Sequence, residues 1–254
     1  VSRIGVAIHG ANGRMGRAIA RAIAESDDLA LAAAIDRSGE AIEGVAVTSE
    51  LTAIAKADVV IDFSHRDATR AIAEACVREK KPLVVGTTGL GVDAIAALDS
   101  LATQQRVVLA PNTSVGVTVL FHLAREAARL LGDEFDAEIV EVHHGQKVDA
   151  PSGTALRLAE AVAEGKQLDA SAFVHGRTGI VGARPKKEIG IHAVRAGDVI
   201  GEHTLYLSGP SERIELVHRA HDRGLFARGA LRAARWVAQP GAPGRYDMRA
   251  VLGV

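Results

Sequence analysis

His143, His144, Lys147, Ser152 and Thr154 fall within one short connection, and their combination suits proton transfer to a small anion. Histidine titrates near neutrality and a buried lysine shifts downward, so His143 or Lys147 can act on a proton. Pro151, Ser152, Gly153 and Thr154 read as the start signal of a helix whose apolar periodicity runs from Ala155 to Ala163. A helix N-terminus carries free N–H groups and partial positive charge, which favours a carboxylate or phosphate. A small dianionic substrate would fit there, with Lys147 and His144 beside it. One histidine at a strand end is ordinarily a packed structural residue. Two histidines, a lysine and an anion-cradling turn in one loop are not explained by packing. No metal is expected. Adjacent histidines project to opposite faces of a strand, and no Cys or carboxylate stands at a familiar ligand spacing.

The elements that position these residues begin with a strand from Ala137 to His144 and the helix that follows the turn. A second chemical feature lies at the start of the chain. A short apolar strand, Arg3 to His9, leads into Gly10-Ala11-Asn12-Gly13-Arg14-Met15-Gly16 and a helical run to Ala24. This is a GxxGxxG variant of the dinucleotide fingerprint. Its glycines allow a tight turn and close approach of backbone to a pyrophosphate. A second strand, Leu29 to Ile35, ends in Asp36, about twenty residues past Gly16, where an acid bonds the adenosine ribose. Arg37 beside it can receive a 2′-phosphate or stack on adenine. NADH and NADPH are both expected as cofactors, with Asp36 limiting preference for the phosphorylated form.

Strand and helix alternate through the rest of the first half: Asp58 to Phe63, Arg66 to Lys80, Pro82 to Gly86, Val92 to Thr103 and Arg106 to Ala110. That alternation predicts an α/β, doubly wound parallel sheet, whose ligands gather beyond the carboxyl ends of the strands. Phe63, Gly86, Thr87, Thr88, Ala110, Pro111 and Asn112 occupy those ends and are candidates for the nicotinamide side. The second half differs. Ile189 to Arg195, Val199 to Ser208 and Glu212 to Ala220 alternate like strands, with short turns at Ala196-Gly197-Asp198 and Gly209-Pro210-Ser211. Short turns imply antiparallel neighbours in a second, open sheet. Its uncovered face predicts a homo-oligomer. Gly165 to Lys187 reads as a mobile loop, Gly224 to Trp236 as a helix, and Arg245 to Leu252 as a return to the nucleotide domain.

Composition excludes other classes. A net charge of −1 argues against a nucleic-acid or acidic-membrane partner. No apolar run is long enough to cross a bilayer, and the first residues read as a strand rather than a signal peptide. The single Cys76 has no partner for a disulfide and is expected to pack. The cytoplasm is the expected compartment.

These motifs together resemble the dihydrodipicolinate reductase family nearly end to end. The resemblance rests on Gly10 to Gly16, Asp62-Phe63-Ser64, Gly86-Thr87-Thr88-Gly89 and Asn112 to Gly116. It continues through Glu141-Val142-His143-His144, Lys147 to Thr154, Arg195 to Asp198, Gly201 to Thr204 and Tyr246 to Arg249. It implies a Rossmann domain over residues 1–112 and 222–254. Residues 113–221 would form an α+β domain on an open mixed sheet that binds substrate and builds a homotetramer. The implied reaction is NAD(P)H-dependent reduction of the dehydrated form of 4-hydroxy-2,3,4,5-tetrahydrodipicolinate, with hydride delivered to C4. By that resemblance His143 is the general acid and Lys147 its partner. Lys147, His144, Ser152, Gly153 and Thr154 would hold the dicarboxylate. Two rivals stand beside it. Another Rossmann reductase acting on an amino-acid semialdehyde would share the fingerprint but not the His-His-x-x-Lys set. A catalytically silent NAD(P)-sensing protein would have no use for His143 and Lys147.

Overall fold

β1 (Ile4–His9), β2 (Leu29–Ile35), β4 (Val59–Asp62), β5 (Leu83–Val85) and β6 (Arg106–Leu109) are almost unbroken apolar runs. A parallel strand covered by helices on both sides needs that pattern. In the computed structural model, which describes residues 3–254, they join β3 (Val47–Thr48) and β12 (Gly244–Tyr246) in one parallel sheet of order β12-β6-β5-β4-β1-β2-β3. Val1 and Ser2, at the start of the expected nucleotide domain, lie outside the described residues.

Helix α1 (Arg14–Ala24) buries Gly16, Ile19, Ala20 and Ile23, a stripe at helical spacing, on one face of this sheet. The last long helix, α6 (Gly224–Ala238), shares the same apolar cluster through Ala227, Ala230, Leu231 and Ala234. α2 (Thr69–Glu79) and α3 (Val92–Ala102) cover the other face with Ile72, Cys76, Leu98 and Leu101. Cys76 is fully buried, and that burial pushes its thiol up, so it packs as an apolar group. The order reverses between β1 and β4, which makes the crevice above those two strands the switch point. The doubly wound parallel sheet expected from the alternation is therefore present.

The chain divides into two compact units, Val1–Val115 with Gly224–Val254, and Gly116–Arg223. The second is built on a five-stranded sheet of order β11-β10-β7-β9-β8: β7 (Asp136–His143), β8 (Phe173–His175), β9 (Ile189–Arg195), β10 (Glu202–Ser208) and β11 (Arg213–Arg219). β7 alternates, with Ala137, Ile139, Glu141 and His143 turned inward. Those apolar residues meet Leu120, Ala124 and Ala128 of α4 (Val115–Leu131) and Leu158 and Val162 of α5 (Gly153–Lys166). Each large buried aliphatic there contributes about 1.5–3 kcal/mol. The opposite face, with Val140, Val142, Val194, Tyr206 and Val217, is less buried. Among the described residues no helix is long and apolar enough to cross a membrane.

Two expectations are corrected. β9 and β10, joined by the turn at Ala196-Gly197-Asp198, are not a hairpin. β7 lies between them, parallel to β9 and antiparallel to β10. Only β10 and β11 pair across their short turn. The stretch Gly165 to Lys187 is also not a structureless loop. It holds the end of α5, a short 3₁₀ turn (Ala170–Ala172) and strand β8, which pairs with β9. Its remainder is tied to the sheet by charge. Arg177 makes a two-pronged bond to Glu138 and another to Glu188, while Arg184 donates to Glu138, Asp136 and the Ala137 carbonyl. Burial raises the Glu138 carboxyl, but Arg177, Arg184 and His192 outweigh it and hold it at about 2.

Arg184→Met should free this arm. Charged hydrogen bonds contribute about 1.5–3 kcal/mol and proteolysis follows the open population, so trypsin cleavage at Lys186 and Lys187 should become about tenfold faster or more. An unchanged cleavage rate would mean the Arg184 bonds do not hold the segment.

Candidate active site

In the first unit, β1 ends at His9 and turns at Gly10, whose φ of 83° is left-handed and favours glycine. A side chain on Gly16 would strike the Gly10 and Ala11 carbonyls, so the helix can approach the turn only as glycine. Gly13 occupies the N-cap of α1, which therefore has no side-chain cap, and its first turn holds no acid. Its N-terminal amides and macrodipole therefore remain for an external anion. Ala11 is buried, Asn12 and Met15 are partly so, and Arg14 points to solvent. Asp36, just past β2, accepts from the Asn12 amide at 2.9 Å and from the Arg37 amide at 2.7 Å. Its carboxylate is thus already tied to the glycine turn, while Arg37 is exposed.

Phe63 follows β4, Gly86, Thr87 and Thr88 follow β5, and Ala110, Pro111 and Asn112 follow β6. All lie at carboxyl ends of the sheet. Phe63 fits against Gly86, where any side chain would overlap its ring. Thr87 and Ala110 are buried, whereas Thr88 and Pro111 are exposed. These residues fit a dinucleotide: an uncapped helix N-terminus, a glycine turn and a ribose-height carboxylate occur together.

In the second unit, Glu141 and His143 share the inner face of β7, as strand periodicity requires. Glu141 is fully buried and accepts from four donors. His143 Nδ1 lies 2.5 Å from Oε2, the two Arg195 terminal nitrogens bond Oε2 and Oε1 at 2.9 Å each, and the Ser152 amide reaches Oε1 at 3.0 Å. Burial raises this carboxyl, but the Arg195, His143 and Ser152 bonds outweigh it, and it stays below the usual range. The ionised carboxylate fixes Nδ1 of His143 as a donor, which leaves Nε2 for chemistry. A Cβ on Gly201 would stand 3.0 Å from that Nε2, so glycine there leaves the ring nitrogen room.

His143 is nevertheless a weaker base than ordinary histidine. Burial dominates, the Glu141 bond and charge oppose it, and Lys147 and Arg195 add to the lowering. Ser152 caps α5, its Oγ accepting from the Ala155 amide at 3.1 Å. The same Oγ lies 3.1 Å from His203 Nε2, and the His203 ring stands edge-on to His143 at 5.2 Å. Burial, with the His143 charge next, pushes His203 down to about 4, so it stays neutral near pH 7. Gly153 and Thr154 form the first turn of α5. Lys147 is not buried: it is partly exposed, with Nζ 2.6 Å from Asp149. His144 is partly buried just beyond β7, its amide donating to the Val199 carbonyl. Thus Glu141 joins His143 directly to the α5 N-terminus. Among the described residues no cluster of His, Cys, Asp and Glu is arranged to hold a metal.

Glu141, Arg195, His203 and Gly201 stand in motifs visible in the sequence but carried no expected role. Glu141 had a readable signal, since it is two residues from His143 and so shares its face. Arg195 and His203 come from β9 and β10, and no local spacing relates them to Glu141.

A doubly wound sheet with a glycine cradle at its switch point defines a dinucleotide-binding protein of the Rossmann class. Family models for the N-terminus and C-terminus of dihydrodipicolinate reductase match residues 4–113 and 116–252. The chain belongs to the dihydrodipicolinate reductase family. It is 48% identical to the 4-hydroxy-tetrahydrodipicolinate reductase of Thiobacillus denitrificans, over 98% of each chain. It is 46% identical to that of Syntrophotalea carbinolica, over 99% of each. A dipicolinate-bound dihydrodipicolinate reductase from Paenisporosarcina sp. TG-14 superposes with a TM-score of 0.80 at 25% identity, over 96% of this chain and 97% of that one. The protein is an NAD(P)H-dependent oxidoreductase that reduces 4-hydroxy-tetrahydrodipicolinate in lysine and diaminopimelate biosynthesis.

The histidine should titrate as its surroundings dictate. By NMR of the His143 ring, its midpoint should fall below the ordinary value near 6.5. Glu141→Gln should lower it further, because the carboxylate favours the imidazolium. Arg195→Gln should raise it, because a nearby cation is lost. Shifts of the opposite sign would show that these charges do not govern the ring.

Proposed function

We propose that His143 is the proton donor of the reduction and that the α5 N-terminus, Lys147 and His144 hold the dicarboxylate. The observation that carries this reading is the buried Glu141 carboxylate, which bonds the imidazole and the start of α5 at once. Ser152, Gly153 and Thr154 present the positive end of the helix to one substrate carboxylate, and Lys147 supplies a full charge for the other. The bound dinucleotide supplies the hydride, to C4 of the dehydrated ring. Gly10 to Gly16 would cradle its pyrophosphate, Asp36 and Arg37 its adenosine end, and Phe63, Gly86, Thr87, Thr88, Ala110, Pro111 and Asn112 its nicotinamide end.

Enamine-like electron density left on the substrate then takes the proton from His143 Nε2. Burial disfavours the imidazolium in the free protein, but a substrate dianion brings negative charge that favours it. Proton affinity would thus rise when the acid is needed. Dipicolinate bound to the Paenisporosarcina relative is a planar dicarboxylate of the same kind, in keeping with such a site.

His143→Gln should lower turnover by about 10²–10⁴ while NADH binding persists, because positioned acid catalysis contributes that much. Wild-type kcat/KM should decline as pH rises above the His143 titration, since only the protonated ring donates, and the variant should lack that limb. Lys147→Ala should raise the substrate KM and also reduce turnover. The assay condenses pyruvate with aspartate semialdehyde through dihydrodipicolinate synthase and follows NADH and NADPH oxidation. Equal loss of NADH binding and turnover in His143→Gln would remove the acid assignment.

We also infer a cytoplasmic homotetramer assembled through the less buried face of the five-stranded sheet. Val194 and Val217 expose 40% and 42% of their surface on that face, and an open sheet face carrying apolar side chains favours association. Light scattering should return four chain masses, and Val194→Glu should reduce them. A monomeric wild type would refute the assembly.

A further inference from the structure

A second buried carboxylate lies in the first unit, outside the fingerprint. Asp62 ends β4 and is fully buried at the switch point. Across from it in register, His9 ends β1 and donates from Nδ1 to Asp62 Oδ1 at 2.8 Å. The remaining donors come from three directions. Ser64 bonds Oδ1 through its hydroxyl at 2.6 Å and its amide at 3.2 Å, Thr69 of α2 reaches Oδ2 at 2.7 Å, and Thr87 after β5 reaches Oδ2 at 3.0 Å. Thr87 Oγ1 also accepts from the Ser64 amide at 3.1 Å. One carboxylate therefore binds together the ends of β1 and β4, the loop after β5 and the start of α2.

The loops so joined are those of the cofactor cradle. His9 immediately precedes Gly10, and a Cβ on Gly10 would come within 2.5 Å of the Phe63 carbonyl. The Phe63 ring in turn rests on Gly86. Backbones this close leave no slack, so a shift of Asp62 must displace Phe63 against both glycines. Burial opposes ionisation of Asp62, but the His9 bond and charge, with Ser64 and Thr69, outweigh it and hold the carboxyl below its ordinary range. Without its full set of donors, a carboxylate in that place would reorganise the turn rather than remain unsatisfied.

We propose that His9 is a positioning residue for the cofactor site: by donating to Asp62 it holds the Phe63-Ser64 turn and Thr87 in the arrangement that receives the dinucleotide. It acts through Asp62 and not by touching the reacting atoms. The inference rests on NAD(P)H use, not on the acid assigned to His143.

The test compares three variants of the full chain by NADH fluorescence titration without substrate, by thermal melting and by steady-state kinetics. His9→Leu removes the donor at similar bulk. His9→Asn restores a donor near the position of Nδ1. Thr69→Val removes a different donor to the same carboxylate, from a buried helix position, with little change of shape. His9→Leu should weaken NADH binding about tenfold, the factor equivalent to losing about 1.4 kcal/mol of one charged hydrogen bond. His9→Asn should recover most of it, and Thr69→Val should weaken binding in the same direction. Cofactor KM should follow these changes while substrate KM does not. NADH affinity unchanged in His9→Leu despite a lower Tm would reduce His9 to a packing residue and overturn the proposal. Equal weakening in His9→Leu and His9→Asn would also overturn it, because the imidazole itself would then be what matters. If His9→Leu does not fold, Thr69→Val decides: unchanged NADH affinity there refutes a role carried through Asp62.

Discussion

The arrangement of the second unit depends on a carboxylate that is out of contact with water. An ionised Glu141 in that interior would be strongly unfavourable alone, and it persists because four donors meet its two oxygens. Those donors come from β7, β9 and the N-terminus of α5. The requirement fixes the strand order as well as the site. Register places Arg195 of β9 opposite His143 and places His203 of β10 opposite Glu141. A β9–β10 hairpin, with β7 displaced to an edge, would leave the carboxylate without its guanidinium or the imidazole without its neighbour.

Charge balance at that carboxylate also sets the character of the histidine. A carboxylate on Nδ1 normally raises an imidazole pKa, and a bare Glu141 would make His143 a stronger base. Burial outweighs that effect, and the Lys147 and Arg195 charges add to the lowering. The ring is held in one orientation without being locked in the charged state. His203, neutral and edge-on, adds shape without a second positive charge.

The same solution recurs in the first unit with different donors. Asp62 there is surrounded by an imidazole, three hydroxyls and an amide rather than a guanidinium, and it lies at a strand end beside the glycine turn. In both units the buried charge couples elements distant in the chain. A hydrogen bond has a direction and a narrow range of length, so such a hub specifies geometry in a way that apolar contact does not.

Much of this was legible in the sequence. The apolar runs of β1, β2, β4, β5 and β6, with helices between them, required a parallel sheet, because only strands covered on both faces are apolar throughout. Gly10, Gly16, Asp36 and the His143 to Thr154 stretch were readable because their chemistry is local: a left-handed turn, a close helix approach, a helix cap. α4 is absent from the expected elements, although Val117, Leu120, Ala124 and Ala128 stand at helical spacing between Ser114 and Gly132, ordinary start and stop residues. The segment after α5 read as mobile because it is rich in Gly, Lys and Arg. Its order comes from Glu138 and Asp136, which are far away in sequence. By itself the chain determined which segments become strands and helices and which loops carry glycines, hydroxyls and imidazoles, since propensity and periodicity act over a few residues. Tertiary structure alone decided that Arg195 meets Glu141, that His9 meets Asp62 and that β7 separates β9 from β10. Those pairings join residues that no local rule relates, and they are selected by the need to satisfy buried charge.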